Sequence, residues 1–527
     1  MTAWRTRVAA GRRGPAGHAP RTSGWWPTAG CAGAATVVTG LVLLGVQQPA
    51  LAGLAISAAW LAFAAGAWLV LRTTPRRAVP LILLGAVAIQ LAALSAPPRT
   101  STDLYRYIWD GRVQAAGIDP YRYVPAAPQL TRLRDPFLWP AHGPICITRS
   151  GISSGPDAGP ELARPGAPGS PLTPGCTRIN RPGVHTIYPP VAEAYFTVVD
   201  KLSPHGSGSL PIQAAAACCA IATSVLLLAG LRRLGRDPRL AVLWAWCPLT
   251  GLEAGNNAHV DVLAAFLTTA SLLTLACKGR RRRTACGAVL LGLAIAAKIT
   301  PILAVPAVLR RRPATLAVAG AAATGIVYLP HLLAVGGGVI GFLPGYLEEQ
   351  GYGSGRRFQL LSIIVPGRWA TLAAATVLAA VAVVVLRGTD PDQPWRGALA
   401  MTGAALAVTT PPFAWYAALL VVLVAIDGRA EWLALAAAGS LGAVGYAIAL
   451  AVVAAASLLR RLRQPGEDRR VAGIPLSSDA TRRPAARPGL LGASGLRAVR
   501  ASPRGDHPQL PPGLLQELRR YERWQGP

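Results

Sequence analysis

Long apolar runs separated by short arginine clusters dominate the chain, and their lengths predict membrane-spanning helices rather than a soluble core. An α-helix needs about 20 apolar residues to cross the roughly 30 Å hydrocarbon layer. Runs at about 32 to 47, 51 to 71 and 78 to 95 predict three N-terminal spans. Others are predicted near 210 to 231, 240 to 254, 259 to 277, 314 to 334, 368 to 386, 397 to 410 and 414 to 427. The runs 285 to 297 and 299 to 309 are short for a crossing and read as a half-depth or thin-membrane helical pair. The final stretch, 431 to 459, holds Gly439, Gly442 and Gly445 and is either one long helix or a broken pair, of which the pair keeps the following arginines on the starting side. The expected fold class is an all-α polytopic membrane protein of about 12 or 13 transmembrane helices.

The polar segments complete the layout. Residues 96 to 188 are too polar and too rich in Pro and Gly to span, so they predict a large loop, irregular from about 140 to 183. A short amphipathic helix, Val191 to Leu202, leads back towards the membrane. The expected organisation is a basic arm (1–30), three helices (31–95), a loop with interfacial helices (96–208), a helix bundle (209–459) and a basic tail (460–527). That tail has few large apolar residues and is expected to be mostly disordered, with a short helix possible at 513 to 524. The basic arm contains no compact apolar core ending in a cleavage site, so the first span is expected to act as a signal anchor.

Composition agrees: the 527 residues are 52% hydrophobic and 14% charged, with a mean hydropathy of +0.38. The net charge of +29 would suit nucleic acid, but the arginines lie in short runs between apolar segments and in the tails. That is the positive-inside pattern of a membrane protein, and no nucleic-acid partner is expected. It puts the N-terminus, LRRLGRDPR (231–239), KGRRRR (278–283) and the tail in the cytoplasm, and the 96–208 loop outside. Five of the eight cysteines, Cys218, Cys219, Cys247, Cys277 and Cys286, lie in apolar runs and act as small apolar residues. Cys146 and Cys176 fall in the outer loop and are either a disulfide or two unpaired thiols. No metal-ligand spacing is present, and no cofactor is expected, although a divalent metal is not excluded.

The chemistry concentrates in TDLYRYIWDGRVQAAGIDPYRY, Thr102 to Tyr123, directly after a predicted span. If Asp103 to Ala116 is helical, then Asp103, Tyr107, Asp110 and Gln114 share one face, and two carboxylates look into one cavity. Arg106 precedes Asp110 by four residues and equally allows a salt-bridged interfacial helix with an aromatic belt. GIDPY (117–121) closes the motif, and YPPVAEAYF (188–196) begins the return to the membrane.

An aspartate past an outward-going span, a Gly-x-x-Pro-Tyr and then a Tyr-Pro-Pro, followed by AKITPIL (297–303), together resemble the polyprenyl-phosphate-sugar-dependent mannosyltransferases of glycosyltransferase family 87. With the topology, the resemblance covers roughly residues 78 to 430. It implies the GT-C fold and transfer of a sugar, most simply mannose, from a polyprenyl-phosphate donor to a glycolipid or cell-wall glycan. The work would be done at the outer face of the plasma membrane among membrane lipids. It also implies that Asp103, matching the family's outer-loop aspartate, is the general base. The insertion at about 140 to 183 departs from the family pattern and leaves the acceptor open.

Other residues suit the same chemistry. Asp110 is the second catalytic candidate, either orienting substrate or pairing Arg106. Arg356 and Arg357 fit a phosphate or a lipid headgroup, and Lys298 either faces a cavity beside the donor phosphate or snorkels. Asn257, His259 and Asp261, in GNNAHVDV (255–262), fit sugar hydroxyls or a helix N-cap. Tyr105, Tyr107, Arg112, Tyr121 and Tyr188 are further sugar- or acceptor-binding candidates. His331 is a proton relay or an interfacial histidine, while Trp415 and Tyr416 either stack on a sugar or anchor the interface. A lipid or glycan transporter, or a non-catalytic scaffold, would share the layout, but no inverted repeat is detected.

Overall fold

Apolar runs and the prolines that punctuate them set the helices of the computed structural model, which describes residues 26–148, 151–154, 175–204, 206–277 and 281–463. α1 (Trp26–Gln47), α2 (Ala52–Arg72) and α3 (Pro75–Leu94) form the predicted N-terminal group. α4 (Asp103–Ala115) carries the acidic motif, α5 (Pro190–Leu202) is the amphipathic return, and α6 (Leu210–Arg233) enters the bundle. α7 (Val242–Ala245), α8 (Pro248–Thr250), α9 (Asp261–Ala276), α10 (Arg281–Ala297) and α11 (Val305–Val308) follow. The chain then runs through α12 (Pro313–Val335), α13 (Leu343–Glu349), α14 (Gln359–Ser362), α15 (Arg368–Gly388) and α16 (Pro394–Thr409). α17 (Ala418–Asp427), α18 (Leu433–Ala437) and α19 (Gly442–Arg463) complete it. Proline stands in the first turn of α3, α5, α6 and α12, where its missing N–H leaves no hydrogen bond unmade.

The protein is an all-α polytopic membrane protein, but with fewer full spans than the run lengths suggest. Among the described residues seven helices are long and apolar enough to cross, or eight if the bent pair Pro248–Asn256 and Asp261–Ala276 is one span. Pro248 cuts the 240–254 run into α7, α8 and a π-helical turn (Gly251–Asn256), and this segment meets α9 at 119°. α9, α10 and α16 stop at 16, 17 and 16 residues, each about 25 Å long at 1.5 Å per residue. The final stretch is a broken pair, as one of the two expectations has it: Gly442, at φ +57°, takes a left-handed turn between α18 and α19 that a residue with a Cβ would resist.

The core sits where apolarity is continuous rather than one-sided. All ten residues of α17 are buried, as expected of a helix apolar on every face. Trp244 and Trp246 are buried against it and the N-terminal group, and their indole N–H groups donate to Ala220 O (2.9 Å) and Ile82 O (3.1 Å). A second apolar cluster joins α4 to α5 through Leu104, Tyr107, Trp109, Tyr188 and Phe196. Gly111 permits that approach, because a Cβ there would lie 2.5 Å from Phe196 O.

Within the 140–183 segment, expected to be irregular, residues 149–150 and 155–174 lie outside the described residues, and the described parts contain a small sheet. β1 (Ile145–Thr148), β2 (Gly151–Ser154) and β3 (Gly175–Thr177) form an antiparallel sheet in the order β2-β1-β3. Cys146 stands opposite Cys176 in the register, and the two are joined by a disulfide. Of the sequence expectations, most of the basic arm and the 464–527 part of the tail lie outside the described residues.

The bundle has two chemically different ends. At one, Arg239 donates to Thr73 O (2.7 Å), Arg236 to Asp427 O (2.8 Å) and Arg310 to Thr389 O (3.1 Å), and Arg311 pairs with Asp392 (3.2 Å). At the other, the ends of α1 and α3 meet the bent pair, with Arg99 donating to Val46 O and Gln213 to Ala96 O (3.2 Å). α10 starts in the arginine cluster, and Lys298, the residue after it, lies at the far end.

Candidate functional site

The segment between α3 and α4 is pinned by two asparagines. Asn256 Nδ2 donates to Ala93, Ala96 and Pro97 carbonyls at 3.2, 3.1 and 3.0 Å, while its Oδ1 accepts from Arg99 N (2.9 Å). Asn257 Nδ2 donates to Thr100 Oγ1 (2.6 Å) and Glu253 Oε2 (3.2 Å), and its Oδ1 accepts from the backbone of Arg99 and Thr100. Both are fully buried, so in this structure Asn257 holds the chain that leads into α4 and presents no group to a sugar.

That chain delivers Asp103 to the first turn of α4, where the helix dipole favours an anion. Its Oδ1 accepts a 2.6 Å hydrogen bond from Asn180, and its Oδ2 lies 4.0 Å from His259 Nδ1. The side chain keeps 24% of its surface exposed, whereas most of its neighbours are buried. His259 is buried, with Nδ1 3.4 Å from the Tyr107 hydroxyl and Nε2 3.4 Å from Glu253 Oε2. Its ring stacks on Trp415 at 4.0 Å. Burial, and then the neighbouring Tyr188 and Asp103, push the Tyr107 phenol well above its ordinary range, so it stays a neutral hydrogen-bond donor.

Two cations stand beside this group. Lys298 Nζ is 3.0 Å from Asp261 Oδ2 and 5.8 Å from the Tyr188 ring centroid, so it faces a partner and does not snorkel. Arg357 is buried, donates to Gln350 Oε1 (3.0 Å), and lies over the rings of Tyr352 and Tyr416 at 5.5 and 5.7 Å. Its Nε is buried with no hydrogen-bond partner among the described residues. Trp415 and Tyr416 connect the two halves: Trp415 stacks on His259, while the Tyr416 hydroxyl bonds that of Tyr346. The structure thus gathers Asp103, Tyr107, Tyr188, His259, Asp261, Lys298 and Arg357 at one end of the bundle.

Other expected site residues lie elsewhere. Asp103 and Asp110 do not share an open cavity: Asp110 is 2% exposed and accepts from Arg106 Nε at 2.9 and 3.0 Å. The Arg106 pairing allowed by the spacing is therefore present, but buried rather than solvated, and it also ties the 181–184 carbonyls to α4. Arg356 is exposed and turns to Ser354 (3.3 Å), away from Arg357. Tyr105 packs on Phe137. Arg112 pairs with Asp135 (2.7 Å) and, with Tyr107, lines a cavity of about 700 Å³. His331 joins Asp119 (2.7 Å) and Tyr121 in a second cluster, linked to the first where the Tyr121 hydroxyl donates to Tyr188 O (2.6 Å).

Asn180, Glu253 and Tyr346 were not foreseen. Glu253 had a signal, since it lies four residues before Asn257 and one helical turn brings them together. Asn180 had none, being placed by the folded loop. Among the described residues no group of three or more His, Cys, Asp or Glu side chains is placed to hold a metal ion.

Glu193 is buried beneath α4, with Oε1 accepting from Thr186 (2.7 Å) and Oε2 without a partner. Burial, and then the charge of Asp110, push its carboxyl well above the ordinary glutamate range, so the native state holds a proton that the unfolded state releases. The Glu193 contribution to stability therefore falls as pH rises above about 4.5. Glu193→Gln, which mimics the protonated form, is expected to gain on the native protein by up to about 1.4 kcal/mol per pH unit. Melting temperatures of both proteins from pH 5 to 8 check this, and parallel curves would refute it.

The model of glycosyltransferase family 87 matches residues 186–387, which include Tyr188, His259, Asp261, Lys298 and Arg357. No curated protein matches the chain. Among solved structures, the Archaeoglobus fulgidus oligosaccharyltransferase, crystallised with Zn and sulfate, is similar at 16% identity with a TM-score of 0.33. The alignment covers 71% of this chain and 53% of that one, so the chain spans about half the length of that relative.

Proposed function

We propose that the chain is a membrane glycosyltransferase that moves a sugar, most simply mannose, from a polyprenyl-phosphate donor to a glycolipid or cell-wall glycan. One observation carries the proposal: a partly exposed carboxylate, Asp103, at the same end of the bundle as two cations, the half-buried Lys298 and the buried Arg357, the latter with a partnerless donor nitrogen. The family-model match over 186–387 supports it. With the arginine-rich end in the cytoplasm, the site lies at the outer face of the plasma membrane.

In the proposed reaction the acceptor oxygen bonds to the anomeric carbon as the bond from that carbon to the phosphate oxygen breaks. The acceptor proton passes to Asp103 Oδ2, the oxygen not engaged by Asn180, and the lipid phosphate leaves with the bonding pair. Its growing negative charge meets Arg357 and Lys298, in a site of low dielectric where such charges act strongly. Displacement from the opposite face inverts the anomeric centre. The face of Trp415 offers a surface for the apolar side of a sugar ring.

Reconstitution tests the class directly. Full-length protein in lipid vesicles, given polyprenyl-phosphate mannose and envelope glycolipids, is expected to yield a mannosylated lipid by mass spectrometry. Nucleotide-linked mannose alone should yield none. Movement of the lipid across the bilayer without transfer would favour a transporter instead.

A further inference from the structure

We infer that Asn180 is the positioning residue for the Asp103 base, and that the disulfide-closed loop inserted between GIDPY (117–121) and YPPVAEAYF (188–196) exists in part to supply it. The inference rests on the proposed transfer reaction.

Asn180 Nδ2 donates to Asp103 Oδ1 at 2.6 Å and lies 3.4 Å from Thr102 Oγ1, so one amide spans the start of α4. A carboxylate at the first turn of a helix rotates freely unless something engages it. Here one oxygen is fixed by an N–H donor, and the other is left to take a proton. The amide suits the task because it has donors and carries no charge, so it orients the carboxylate without an ion pair.

The loop holds Asn180 from both sides. Before it, Cys176 is bonded to Cys146, the Thr177 hydroxyl donates to Leu138 O (2.8 Å) and accepts from Ile179 N (3.1 Å), and Ile179 is fully buried. After it, Arg181 adopts a left-handed backbone, at φ +45°, that a non-glycine residue holds only when its surroundings impose it. Those surroundings are Glu349, 3.1 Å from Arg181 Nη2, and Arg106 Nη1, 3.4 Å from Arg181 O. A chain fixed on each side of one asparagine, whose side chain then meets the one partly exposed carboxylate of the cluster, is a built contact.

The test compares Asn180→Ala, Asn180→Asp and Asp103→Asn in the full-length protein in lipid vesicles. Transfer from polyprenyl-phosphate mannose is divided by the number of sites that bind polyprenyl phosphate, so that loss of folded protein cancels. Asn180→Ala is expected to lower turnover per site about 10- to 100-fold, with the donor KM unchanged. Asn180→Asp should fall further, because it sets a second carboxylate against Asp103. A role in packing alone would reverse that order, since Asp is the closer isostere. If Asp103→Asn is inactive while both Asn180 variants turn over like the native protein, or if Asp is the milder change, the positioning role is overturned. If Asp103→Asn transfers normally, the reaction scheme falls first, and with it the base that Asn180 is held to serve.

Discussion

Asp103→Asn is expected to lower sugar transfer by about 10²- to 10⁴-fold, the range a positioned general base supplies. The substitution keeps the shape of the side chain and an oxygen that can still accept from Asn180, so α4 should start where it does now. It removes an anion from the first turn of that helix, which costs only about 0.3–1 kcal/mol. Binding of polyprenyl phosphate should persist, because Arg357 and Lys298 are on other elements. Asp110→Asn provides the contrast. It unpairs a buried arginine, 4% exposed, that ties α4 to the 181–184 segment, so the loss should appear in melting temperature before turnover per folded molecule. Radiolabelled transfer and thermal melting measured on the same preparations check both. Transfer at the native rate in Asp103→Asn would remove the mechanism.

The contrast between these two aspartates shows what could be read along the chain. Helical spacing correctly put Asp103 and Asp110 on one side of α4, because periodicity is a local property of backbone geometry. It could not tell that the loop and Thr186 would close over Asp110 and leave Asp103 partly open, since burial depends on segments some 75 residues away. The same division runs through the fold. Spans with clean edges, such as α1 to α3, α6 and α15, lie close to where apolar run length places them. The bent pair does not, because Pro248 and the π-helical turn redirect the chain without making it less apolar. Lys298 stands out as a charge between apolar runs, His259 and Asp261 stand in the polar GNNAHVDV motif, and the structure gathers all three. Asn180 sits in a Pro/Gly-rich loop, where one more polar residue carries no signal, and only the sheet and disulfide give it a fixed place.

Lys298→Met is expected to destabilise the protein by about 3–5 kcal/mol, the usual consequence of leaving one member of a buried ion pair alone. The pair is well removed from water, with Lys298 17% and Asp261 4% exposed and 3.0 Å between them. Lys298→Met/Asp261→Leu should recover most of that loss, since a buried pair can usually be replaced by packed apolar groups at little cost. Thermal melting in detergent distinguishes the single from the double variant, and a single variant as stable as the native protein would show that the pair is not shielded. The double variant also separates structure from chemistry. If Lys298 only neutralises Asp261, restoring stability restores the donor KM. If it also meets the donor phosphate, as proposed, KM for polyprenyl-phosphate mannose stays raised by about 10- to 100-fold, the worth of one charge-assisted hydrogen bond. A restored KM in the stable double variant would leave Arg357, with its partnerless Nε, as the phosphate-binding group.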